Sequence, residues 1–160
     1  VKPDARLLSE LSVTFPLGLG GNRKLTGDLL IDLGYLDPRL HRWDQHRPEG
    51  APGGVYVSDR TTTVLRVPAG TIYDGASIPY VAQYIAGPKE LYERASAGHD
   101  FLYQEQAPRG ASDLAFWAVA RSGQKQVTEK RGWLAWAGVR LGGWWAYWKN
   151  GRRKAKRNGA

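Results

Sequence analysis

Three places in the chain carry residue types that could do chemistry together: Asp74, the pair His99-Asp100, and Asp113. A carboxylate bonded to one nitrogen of an imidazole fixes the tautomer and leaves the other nitrogen as a general base. His99 lies four residues after Ala95 and eight after Leu91, on the apolar stripe of a helix expected over residues 89–104. Tyr103 follows one turn later. Asp113 opens a second expected helix, 112–121, with Phe116, Trp117 and Ala120 as its apolar neighbours. The link between them is short and contains Pro108 and Gly110, which predicts an antiparallel helix hairpin with His99 and Asp113 near one end. Asp100 points in the adjacent direction. It could join the loop Asp74-Gly75-Ala76-Ser77-Ile78-Pro79 around a hard cation, with Gly75 and Ser77 in support.

Each place also has a plainer reading. Asp-Gly and Pro79 are turn chemistry, and a lone histidine on an apolar face is commonly a satisfied core residue. Ser112 or Asp113 can cap a helix, where an acid suits the dipole. Desolvation favours the joint reading, because His99 and Asp100 beside an apolar stripe are costly unless something pairs them. Zinc is poorly served: there is no cysteine, and His41 and His46 fall in an expected loop region far from His99 in sequence.

The elements that must position these groups change character along the chain. Residues 11–15 and 29–33 read as short strands around a Gly-rich turn at 16–22, and 34–38 and 47–54 read as a turn and an exposed loop. Val55-Tyr56-Val57 and 61–67 are β-branched runs separated by Ser58-Asp59-Arg60, a hairpin signal, and 71–73 is a third short strand. Helical spacing takes over at 89–104, 112–121 and 128–149, the last ending at Asn150-Gly151, a C-cap pair. Strands followed by helices, including a helix hairpin and a Trp-rich terminal helix, make an α+β domain. The expected limits are 1–148 for a single globular domain, with the motifs in about 55–148 and a flexible basic tail at 149–160.

The 160 residues carry a formal charge of +8, unevenly distributed. Residues 121–160 hold eleven Lys/Arg against Glu129 alone, whereas residues 1–120 are close to neutral. With no cysteine, disulfide scaffolds, Cys nucleophiles and iron–sulfur sites are excluded. Residues 1–6 show no apolar signal-peptide core. The stretch 132–148 is short for a membrane span and holds Arg140 and three glycines. It also gathers Trp133, Trp136, Trp144, Trp145 and Trp148 on two helical stripes, which implies either burial on more than one side or a face kept for a partner. Arg152, Arg153, Lys154, Lys156 and Arg157 follow, as a solvated tail or as a contact for phosphates of anionic lipid or nucleic acid.

The ordered set Val67-Pro68-Ala69-Gly70, Asp74-Gly75-Ala76-Ser77-Ile78-Pro79, His99-Asp100-Phe101-Leu102-Tyr103 and Ser112-Asp113-Leu114-Ala115-Phe116 resembles an uncharacterised family of phage and prophage proteins with a Trp-rich C-terminal helix. That resemblance implies a setting in the virion or host cytoplasm, and other virion or assembly proteins as partners. A weaker resemblance, to bacterial secreted phospholipase A₂, rests on the Asp-Gly loop, the His-Asp-x-x-Tyr helix and the later helical acid. It implies Ca²⁺ on Asp74 and Asp100, His99 activating water and Asp113 orienting His99, although the disulfides of that class are absent and the His99–Asp113 separation is shorter. The expectation is a phage-type virion or accessory protein with a calcium-assisted His/Asp hydrolase site. The alternatives are a non-catalytic assembly component that uses the Trp-rich helix as its interface, and a non-specific nucleic-acid accessory protein.

Overall fold

β-Branched and aliphatic residues draw the first sheet. The computed structural model describes residues 5–14, 22–74, 92–122 and 128–158, with side chains through residue 155. β5 (Gly54–Val57) and β6 (Thr63–Val67) form the expected hairpin, with Val55 opposite Leu65. They extend a four-stranded antiparallel sheet of order β1-β4-β6-β5, completed by β1 (Arg6–Leu7) and β4 (Leu29–Asp32). Leu29, Ile31, Val64 and Val67 on the two inner strands are wholly buried. A second antiparallel sheet runs β2 (Val13–Thr14), β3 (Arg23–Leu25), β7 (Ile72–Tyr73). The strand expected at 71–73 therefore pairs with β3, Arg23 opposite Tyr73. β1 and β3 escaped the sequence reading because two or three residues are too few to show a period. Of the Gly-rich turn at 16–22, all but Asn22 lies outside the described residues.

The loop region expected around His41 and His46 is instead a helix, α1 (Pro38–Gln45). Its start was written in the chain: Asp37 accepts from the Arg39 N–H at 3.0 Å, and Pro38 occupies the first turn, where its missing N–H costs nothing. Both histidines are used locally, His41 Nε2 lying 3.0 Å from Thr63 Oγ1 and His46 Nδ1 2.6 Å from the Arg42 carbonyl.

The second half holds α2 (Glu93–Gln104), α3 (Arg109–Arg121) and α4 (Glu129–Asn158). α2 and α3 form the predicted hairpin. α2 lies against the first sheet because Gly98 has no side chain: a Cβ there would meet Leu65 Cδ2 at 3.1 Å and Ile31 Cδ1 at 3.3 Å. Phe101, Leu102, Ala97, Ala111 and Ala115 complete the core above the strands. A smaller cluster of Tyr92, Ala95, Phe116, Ala120 and Ala135 joins all three helices. At the start of α2, Arg23 of β3 forms an ion pair with Glu93, tying the second sheet to the helix that carries His99.

Two boundaries differ from expectation. α3 begins at Arg109 with Pro108 as N-cap, so Ser112 and Asp113 sit inside the helix and cap nothing. α4 passes through Asn150-Gly151 and continues to Asn158, so the basic residues expected on a flexible tail ride on its last turns. Tertiary contacts outweigh the local stop signal. Gln106 Nε2 donates to the Tyr147 carbonyl at 2.9 Å, and Lys154 Nζ donates to the Glu105 carbonyl at 2.8 Å.

Candidate functional site

His99 faces α3 from α2, and the hairpin geometry sets its partner. Its Nε2 is 3.0 Å from Asp113 Oδ1, and its side chain is 8% exposed. Tyr103, one turn along α2, donates its hydroxyl to the same Oδ1 at 2.6 Å. The other oxygen, Oδ2, accepts from Arg140 Nη1 of α4 at 2.9 Å, and Arg109 Nε stands 3.8 Å away. Arg109 is itself held by the Arg140 carbonyl. Asp113 of α3 is thus a buried acceptor for donors from α2 and α4, and neither of its oxygens is idle. α4 can come this close because Gly143 passes directly over Tyr103; a Cβ there would lie 2.7 Å from the Tyr103 hydroxyl oxygen.

These contacts decide the charges. Burial alone would raise the Asp113 pKa, but the bonds from His99, Tyr103 and Arg140 outweigh it and hold the carboxyl below 3.8. Burial alone would lower His99; the carboxylates of Asp100 and Asp113 reverse that and hold it above 6.5. Burial, reinforced by Asp113, pushes the Tyr103 phenol up, so it stays a donor. With Nε2–H committed to Asp113, the neutral imidazole carries its lone pair on Nδ1.

Nδ1 looks toward Asp100, whose Oδ1 is 3.7 Å away, longer than a hydrogen bond. Asp100 Oδ2 accepts the Asp74 backbone N–H at 3.2 Å, which joins the end of β7 to α2. Burial pushes the Asp100 carboxyl up to about 6, with the charge of Asp74 adding to the rise. Asp74 and Asp100 are two hard anionic oxygen donors side by side, and they fit part of the shell of a Ca²⁺ ion, which takes six to eight oxygens. Among the described residues no group of three His, Cys, Asp or Glu could hold a metal. Gly75 and Ser77, the expected supporting residues, lie outside the described residues.

His99, Asp100 and Asp74 line a cleft of about 640 Å³. Its far wall is α4, through Gly138, Gly142, Ala146, Lys149 and Arg153. The lining thus combines the carboxylates and imidazole of β7 and α2 with cations of α4. Of the expected contact residues, Trp133, Trp144, Trp145 and Trp148 are exposed and Trp136 is half-buried. Arg152 and Arg153 are exposed, Lys154 is paired with Glu105, and the side chains of Lys156 and Arg157 are outside the described set.

Arg140 and Arg109 were missed as members of the centre. Arg140 had a signal: a lone cation in the middle of an apolar helix demands a partner. Its partner is the acid that orients the histidine.

Residues 53–139 match a family model described as "Protein of unknown function (DUF1353)". The match covers more than half of the chain and runs from the end of the α1–β5 loop into α4. It takes in Asp74, His99, Asp100, Tyr103 and Asp113, and it stops one residue short of Arg140. No curated protein and no solved structure matches the chain.

Proposed function

The chain belongs to the DUF1353 family, and from the geometry of its buried centre we propose that it is a hydrolase in which His99 is the general base. The observation that carries this reading is the division of the imidazole: Nε2 is 3.0 Å from a fully bonded carboxylate, while Nδ1 lies on the Asp100 side of a ring that lines a cleft. A water held between Nδ1 and an ester carbonyl would give its proton to Nδ1 as its oxygen attacks the carbonyl carbon. Asp113 stabilises the imidazolium so formed, and Nδ1–H then protonates the departing alkoxide as the ester C–O bond breaks. Asp74 and Asp100 are the proposed Ca²⁺ ligands, and a bound ion would supply Lewis-acid polarisation of the carbonyl. Arg140 and Tyr103 are positioning residues, because both act on His99 through Asp113.

Calorimetric titration with Ca²⁺ tests the cation part. Binding by the wild type that is lost in Asp100→Asn supports it, and no binding by the wild type ends it. Hydrolysis of short-chain and lipid esters that disappears in His99→Ala supports the general base; turnover unchanged in that variant removes His99 from the mechanism.

The second reading is a non-catalytic assembly component. It is favoured by one observation: Asp113 ties α2, α3 and α4 together, which is also what a structural polar network does. Under that reading His99→Ala lowers stability and no ester is turned over by any variant. The setting proposed for either reading is a phage or prophage particle or its host cytoplasm, on the strength of the ordered motif set alone. Detection of the protein in purified particles, against host lysate, tests it.

A further inference from the structure

α4 presents two unlike faces. The inner one packs on the α2–α3 hairpin through Ala135, Val139, Gly143 and Tyr147. The outer one carries Trp133, Leu141, Trp144, Trp145 and Trp148, each between 46% and 78% exposed. The last four follow i, i+3, i+4, i+7 spacing and make a continuous ridge. Soluble proteins seldom leave apolar surface of that kind uncovered without a use. The indoles lean on one another, Trp145 on Trp148 with ring centres 5.2 Å apart, and Arg152 lies 4.8 Å over the Trp148 ring.

The charge around the ridge says what covers it. Glu129–Asn158 holds nine Lys/Arg and one acid, Glu129. Lys130 and Arg131 stand at one end of the ridge, and Lys149, Arg152 and Arg153 are exposed at the other. A second copy of this chain would bring like charge against like charge. An anionic lipid surface complements both features, since indoles settle at the headgroup boundary and Lys/Arg meet the phosphates. No helix of the described residues is long and apolar enough to cross a membrane, so α4 would lie on the surface.

The ridge also meets the cleft. Gly138, Gly142, Trp145 and Lys149 form one row at i+4, i+3, i+4 spacing, and all but Trp145 line the cleft. Trp145 therefore stands on the rim, between the outer ridge and the chamber that holds His99. We propose that the outer face of α4 docks on an anionic bilayer and that the cleft draws a lipid ester from that surface. The second half rests on the hydrolase reading; the docking does not.

The full chain is sedimented with phosphatidylcholine vesicles containing about a third phosphatidylglycerol, and with phosphatidylcholine alone. Binding to the anionic vesicles, a blue shift of the tryptophan emission and a loss of binding in high salt are expected. Trp144→Ala/Trp145→Ala/Trp148→Ala should weaken binding about tenfold or more, with helix content unchanged. Arg152→Glu/Arg153→Glu should weaken it independently, through charge. The docking is overturned if the wild type stays in the supernatant with anionic vesicles, or if a single-stranded oligonucleotide is bound more tightly than the vesicles. It is equally overturned by a dimer that already buries the indoles in buffer. Hydrolysis separates the two ideas. Vesicle binding without turnover of any ester leaves the docking standing and ends the hydrolase reading; turnover of a soluble ester without vesicle binding does the reverse.

Discussion

Two carboxylates flank His99, and their surroundings are opposite. On the α3 side, Asp113 is 1% exposed and accepts from His99, Tyr103 and Arg140. On the cleft side, Asp100 is 23% exposed and has the Asp74 N–H as its short-range donor. Both lose hydration; among the described residues Asp113 has three short donors and Asp100 one, and Asp113 titrates below 3.8 while burial pushes Asp100 up to about 6. The difference teaches a division of labour on one imidazole. The dry side holds the ring and its charge, and the wet side, where Asp100 has one short donor among the described residues, keeps a carboxyl that burial pushes toward its protonated form.

Removing the dry-side acid should give the largest effect. Asp113→Ala leaves a buried imidazole, a phenol and a guanidinium without their common acceptor, and breaking such a network costs about 3–5 kcal/mol. Asp113→Asn keeps the shape and should cost less. Asp100→Asn removes a carboxylate that burial disfavours and should be neutral or stabilising by about 1 kcal/mol at pH 7. Urea denaturation of the three proteins makes the comparison. Equal losses from Asp113→Ala and Asp100→Asn would show the two sides to be alike.

This asymmetry was half legible in the chain. His99, Tyr103 and Asp113 were readable together because a short link containing Pro108 and Gly110 predicts a helix hairpin, and helical spacing then places all three on the inner side. The acid on the wet side was readable from its sequence neighbour. The reach of α4 was not: Arg140 sits 27 residues from Asp113, and local spacing cannot say which distant helix will cross. The same limit hid β3 and the extension of α4 to Asn158, both of which are held by partners far away in sequence. α1 differs in kind, since Asp37-Pro38 is a local signal that reads equally as a turn and as a helix start.

A smaller effect sharpens the dry side. Tyr103→Phe removes one donor from Asp113 Oδ1 but leaves His99 and Arg140 in place, so the cost should be about 1–2 kcal/mol. Arg140→Met removes the donor to Oδ2; because that guanidinium is 45% exposed, its loss should cost about 1 kcal/mol or less. If the two losses add in the double variant, the bonds to Asp113 are independent. If the double variant loses less than the sum, each bond strengthens the other and the network is cooperative, whereas a loss greater than the sum means that either donor compensates for the other. Stability curves for the single and double variants decide between them.

The smallest effect is a pair of opposite pH dependences. Asp113 has a folded pKa below its unfolded value, so its contribution is present above about pH 4 and is lost as pH falls through the folded value. Asp100 has a folded pKa above its unfolded value. The folded protein therefore binds more protons between 3.8 and about 6, and stability from this group falls as pH rises across that window. Relative to wild type, Asp100→Asn should gain stability as pH is raised from 4 to 6 and change little beyond it, whereas Asp113→Asn should differ from wild type least at the acid end. The same assignment places the acid limb of any hydrolytic rate above pH 6.5, where His99 becomes neutral, and Asp100→Asn should move that limb downward by removing one of the two carboxylates that hold the imidazolium. A limb that stays in place in Asp100→Asn would mean that Asp113 alone sets the charge of His99, and that the wet side does not touch the base.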